Sequence, residues 1–173
     1  MNGFNRIVAN TFLAVTALLM ATLPSACTLV ITPEPASSQP APALNPNGVI
    51  FTVEQTEASL IAIWPEPEGA WQPTAADIAK LEEDLPEFLK SAKDRHLRPD
   101  PPIWEREPEY MRQYLGIIED GEQIIYANFF CAIHDIDWRN ELVFVNDGGD
   151  CFFSVKYNPT SKEFFDLSVN GEA

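Results

Sequence analysis

Basic residues are scarce in this 173-residue chain. It has 11 Lys and Arg against 26 Asp and Glu, a formal net charge of −15. Nucleic-acid binding needs a cationic surface to displace counterions, so a nucleic-acid partner is excluded. Direct adhesion to anionic lipid is disfavoured for the same reason. Histidine is scarcer still, at two residues, and the three cysteines include no Cys-x-x-Cys pair. No Gly-x-Ser-x-Gly, P-loop or dinucleotide fingerprint occurs. No cofactor is therefore expected. What remains is 46% hydrophobic and 21% charged, a globular rather than disordered composition, and the length suits one domain.

The N-terminus is not fold material. Arg6 is the only charge before Glu34, and an apolar stretch covers Ile7–Ala9 and then Phe12–Ala21, followed by small residues ending at Ser25 and Ala26. That order predicts an export signal over 1–26. The stretch Leu23-Pro24-Ser25-Ala26-Cys27 resembles a bacterial lipobox, in which the Cys is lipidated and becomes the new N-terminus. Ser25 and Ala26 match it, while Pro24 stands where Leu is usual. The expectation is a membrane-anchored lipoprotein of the cell envelope, lipidated at Cys27. Secreted or periplasmic release and a retained anchor are the alternatives. Membrane contact is then confined to the N-terminal lipid or anchor. Residues 27–48 follow as a tether, Pro-, Ala- and Ser-rich over 32–46. Proline removes backbone donors and favours extended polyproline II, so a spacer of about 20 residues reaches roughly 60 Å at ~3.1 Å per residue.

A single α+β domain is expected over 49–173. Residues 49–53 alternate and read as a strand, and 60–64 as another. Thr74 with Asp77 forms a capping-box pattern ahead of an apolar stripe at Ile78, Leu81, Leu85, Phe88 and Leu89, which predicts a helix to about Lys93. Pro86 predicts a kink or break in it. Strands follow over 113–119 and 123–131, joined by Asp120-Gly121, then over 142–146, 151–157 and 163–169. One amphipathic helix on a curved antiparallel meander of about five strands, cystatin-like or NTF2-like, is the expected architecture.

Strand alternation puts Ile125, Ala127, Phe129 and Cys131 on one face, with Cys151, Phe153, Val155 and Tyr157. These purer apolar faces should meet the helix, with both cysteines pointing inward. With Cys27 lipidated, two cysteines remain, and an exported chain meets oxidising conditions, so a Cys131–Cys151 disulfide is expected over two buried thiols. Ile124, Tyr126, Phe130, Phe152 and Phe164 fall on the opposite face. Uncovered, they form a possible binding face; the alternative is that Trp64, Trp71 or Trp104 and their loops cover them.

For chemistry, His134, Asp135 and Asp137 lie in the loop after Cys131, and Asp147 and Asp150 in the glycine loop at 147–150. A His with carboxylates suits a divalent cation or an acid–base pair, but this spacing matches no ligand pattern, and a solvated acidic loop is the commoner outcome. Arg112 opens a strand and is expected to pair with Asp147 or another carboxylate.

Residues 71–173 resemble a family of bacterial exported proteins and lipoproteins with no established activity. The likeness lies in Trp71-Gln72-Pro73-Thr74, Arg112-Gln113-Tyr114-Leu115-Gly116, Asn128-Phe129-Phe130-Cys131, Asp147-Gly148-Gly149-Asp150-Cys151-Phe152-Phe153 and the terminal Val169-Asn170-Gly171-Glu172-Ala173. It implies export and one small domain, and brings no site residues. The leading expectation is a non-enzymatic domain binding an envelope protein or small ligand. The alternative is a hydrolase-like or metal-dependent enzyme using His134 with Asp135, Asp137 or Asp147.

Overall fold

The computed structural model describes residues 43–92, 100–133 and 135–171. The signal, Cys27, most of the tether and His134 lie outside them. The fold is α+β: a few short helices and an open six-stranded sheet. Among the described residues, no helix is long and apolar enough to cross a membrane.

Strands β1 (Gly48–Ile50), β3 (Met111–Glu119), β4 (Glu122–Phe130), β5 (Phe152–Asn158) and β6 (Glu163–Val169) lie in that order, and β2 (Gly69–Trp71) also pairs with β3. Strands β3 to β6 pair antiparallel in sequence order, with β3–β4 and β5–β6 joined at turns that the sequence predicts. β1 departs from it by pairing with β3 in parallel, Val49 opposite Gln113. β2 occupies the same edge of β3 further along, Ala70 opposite Ile117. Gly116 permits this crossing, since a Cβ there would lie 2.2 Å from the Trp71 carbonyl oxygen and 2.6 Å from the Pro73 ring. Packing begins before Val49, with Leu44 against the core.

Of the strands expected at 49–53 and 60–64, the first is cut short and the second is replaced by a helical turn. Only Gly48–Ile50 of the first is strand, because Thr52 and Gln55 form a capping box that starts helix α1 (Val53–Ser59). The second, around Leu60–Ala62, continues α1 as a 3-10 turn. Helix α2 (Ala75–Ser91) begins at the predicted Thr74–Asp77 box, with Thr74 N donating to Asp77 Oδ2 at 2.8 Å. It passes through Pro86 unbroken. One lost backbone bond is outweighed there by the full burial of Ile78, Leu81, Leu85 and Leu89. Helix α3 (Ile103–Arg106) and a 3-10 turn at Glu107–Glu109 lead into β3.

Helix α2 covers the inner sheet face. Its stripe packs on Ile125, Ala127, Phe129, Phe153, Val155 and Tyr157, as alternation predicts. Phe129 and Phe153 stack with ring centres 4.5 Å apart. At the edge of this core, Arg112 is 2% exposed, and it pairs with Glu107 at 2.6 Å and Glu82 at 3.3 Å, not with Asp147. It also donates to the Glu107 and Tyr110 carbonyls, at 2.6 and 3.2 Å. Tyr114 donates to Glu82 at 2.5 Å, so one guanidinium and one phenol tie α2 to the start of β3.

Candidate functional site

The outer sheet face carries a second core: Leu115, Ile117 and Ile124 beneath Phe51 and Ile63 from the α1 region. None of the three tryptophans expected as a cover seals this face. Trp71 and Trp104 pack on the inner core, and Trp64 is 90% exposed. The remaining cover is the segment between the cysteines.

That segment has no regular structure between Cys131 and the 3-10 turn at Gly149–Cys151, among its described residues. The strand expected over 142–146 is absent because side-chain amides, not a backbone ladder, hold the chain there. Gln113 is fully buried. Its Nε2 donates to the Trp138 and Glu141 carbonyls at 2.5 and 2.7 Å. Its Oε1 accepts from Val143 N and from Asn128 Nδ2, both at 3.0 Å. Asn128 Nδ2 also donates to the Val143 carbonyl at 2.8 Å. Further along, Asn170 Nδ2 donates to the Val145 and Asp147 carbonyls at 2.5 and 3.0 Å. A Cys131–Cys151 disulfide closes the segment at both ends. Cys131 is exposed rather than inward, because β4 ends one residue earlier at Phe130.

The segment touches α1 at Asn140, whose Oδ1 accepts from Gln55 Nε2 at 3.2 Å, and a groove of about 200 Å³ is lined by residues from both. Its floor is the outer side of β4 to β6, where Asn128, Ser154 and Ser168 line up across three strands. Trp64 and Phe144 both line it, Phe144 59% exposed between buried Val143 and half-buried Val145. Lys156 lies in the floor with its side chain 3% exposed, paired to Glu119 at 2.6 Å and Asp166 at 3.1 Å. Burial opposes its charge, but these two carboxylates outweigh that and raise its pKa. Burial likewise raises the pKa of Tyr126, against a hydrogen bond with Ser154 and the nearby Lys156 charge.

The expected binding face is thus only partly brought together. Tyr126 and Phe152 line the groove. Phe130 is fully buried and meets the Trp138 ring edge-on at 5.8 Å. Phe164 lies on the inner face, with ring centres 4.7 Å from Phe88 and from Tyr157. Alternation misplaced it because the β5–β6 hairpin pairs Tyr157 with Phe164, and a bulge near Asp166 then shifts the register. Sequence reasoning missed Phe144. The available signal was a long segment between two pairing cysteines, since long irregular loops held to a rigid sheet tend to carry function.

Of the candidate acidic cluster, His134 lies outside the described residues. Asp135, Asp137 and Asp147 are exposed, and Asp137 accepts from Asn140 at 2.8 Å. Among the described residues, no three His, Cys, Asp or Glu side chains gather as a metal site. In comparison with known proteins, no family model, curated protein or solved structure matches this chain.

Proposed function

We propose that the chain is a non-enzymatic binding domain of the bacterial cell envelope. In this reading it is exported by its N-terminal signal, lipidated at Cys27, and engages its partner or ligand through the Trp64–Phe144 groove. One observation carries the proposal: two large aromatic side chains, Trp64 and Phe144, stand exposed in the lining of one polar-floored groove. Exposing them works against folding, and the wall bearing Phe144 is fixed in place by three side-chain amides and a disulfide. The resemblance to exported lipoproteins and the Pro-rich tether agree with placement outside the cytosol.

Photo-crosslinking in the native envelope tests this. A benzoylphenylalanine at position 64 or 144 should give one shared adduct, absent when it replaces Glu87 on the exposed side of α2. Adducts that are missing, or the same at all three positions, overturn the proposal.

A further inference from the structure

Charge around the groove is one-sided. Its lining holds two charged side chains, Lys156 and Asp166, and Lys156 is shared between Asp166 and Glu119, so the three sum to net negative. Asp166 gives one oxygen, Oδ2, to Lys156 and is 59% exposed. A second groove adjoins the first along the seam between α1 and the disulfide-closed segment, and the two share Ala62. The charged side chains lining it are Glu54 and Glu141, with no cation. Exposed Glu57, Glu66 and Glu68 add to the same α1 region, and residues 43–79 contain no Lys, Arg or His. Arg139 in the facing segment stacks over the Trp138 ring at 4.2 Å and lines neither groove.

Uncompensated carboxylates attract any cation, and exposed rings attract any apolar surface. The two together select a planar cation: a guanidinium lies flat on an aromatic face and forks onto a carboxylate. Two adjoining grooves with net negative linings suit two cationic side chains on one extended chain better than one small ion. From this charge complementarity, and resting on the binding reading above, we infer that the seam is a docking surface for a basic, arginine-bearing segment of a partner protein. One guanidinium stacks in the Trp64–Phe144 groove and meets Asp166. A second basic side chain meets Glu54 and Glu141 in the adjoining groove.

Fluorescence anisotropy with the full chain and labelled hexa-arginine, hexalysine and hexaglutamate tests it. Hexa-arginine should bind more tightly than hexalysine, and hexaglutamate should not bind. Trp64→Ala and Phe144→Ala should each weaken hexa-arginine about twofold to fivefold, the worth of an exposed cation–π contact, and hexalysine less. Both side chains are exposed, so the folded state tolerates these changes. Glu54→Gln with Glu141→Gln should weaken both basic peptides and flatten their salt dependence. Glu87→Gln with Glu105→Gln, the same charge change at exposed positions on α2 and α3, should do neither. The assignment is overturned by absent hexa-arginine binding, by equal losses in the two glutamine pairs, or by binding unchanged when Trp64 and Phe144 are both alanine. Shared adducts at positions 64 and 144 without hexa-arginine binding would sink the basic partner alone and leave the groove as the binding surface.

Discussion

Asn128 donates to Gln113 across β4 and β3 at 3.0 Å, and the pair grips the chain of residues 138–143 instead of facing water. Two amides from neighbouring strands thereby replace a backbone ladder and set where Phe144 stands. Gln113→Ala removes the partners of the Trp138 and Glu141 carbonyls and of Val143 N. Leaving buried groups unpaired costs about 1–3 kcal/mol each, partly relieved by water. The expected loss is about 3 kcal/mol by urea denaturation, with faster amide exchange over 138–145 and little change in α2. A loss under about 0.5 kcal/mol would show that these amides do not hold the segment.

The disulfide constrains the same segment from its ends, across 20 residues of sequence. A closed loop of that length is worth roughly 3 kcal/mol. Cys131→Ser with Cys151→Ser should lower stability by about that amount. It should also weaken crosslinking at position 144 more than at position 64, since only the former lies on the closed segment. Equal weakening at both would show that the bridge does not govern the Phe144 wall.

Arg112 offsets the burial of the Glu107 carboxylate. Glu107 has its pKa raised above 4.5, first by burial, with Arg112 pulling it back down. Removing one partner of a buried pair costs about 3–5 kcal/mol, so Arg112→Met should be strongly destabilising at pH 7. A carboxyl with a raised folded-state pKa binds more protons folded than unfolded. Its destabilising effect is full at neutral pH and fades as pH falls towards 4.5. Without Arg112 that pKa rises further, so the variant should regain part of its loss as pH falls below 7, to a greater extent than the parent. Adding Glu107→Gln should recover part of it at pH 7. A pH-independent loss would place the effect in packing.

The aromatic walls separate stability from binding. Trp64→Ala and Phe144→Ala remove exposed side chains and should change stability by no more than about 0.5 kcal/mol. By contrast, Phe130→Ala, at a fully buried ring under Trp138, should cost about 3–5 kcal/mol. Thermal unfolding of the three variants side by side checks this, and a large loss in either wall variant would make the walls structural.

Much of the fold was fixed locally and so could be read from the chain. The Thr74–Asp77 box and the apolar stripe after it define α2, because capping and 3.6-residue periodicity act within a few residues. Asp120-Gly121 sets the β3–β4 turn, where both residues take the positive φ that it requires. The cysteine count pointed to the disulfide. Three things only tertiary structure decided. The inward turn of Phe164 came from hairpin register and a bulge. The outward stance of Trp64 came from α1 continuing as a 3-10 turn. The groove itself came from Gln113 and Asn170 reaching carbonyls 25 residues away in sequence. A segment held by distant side chains has no period of its own, so no local pattern in the chain could announce it.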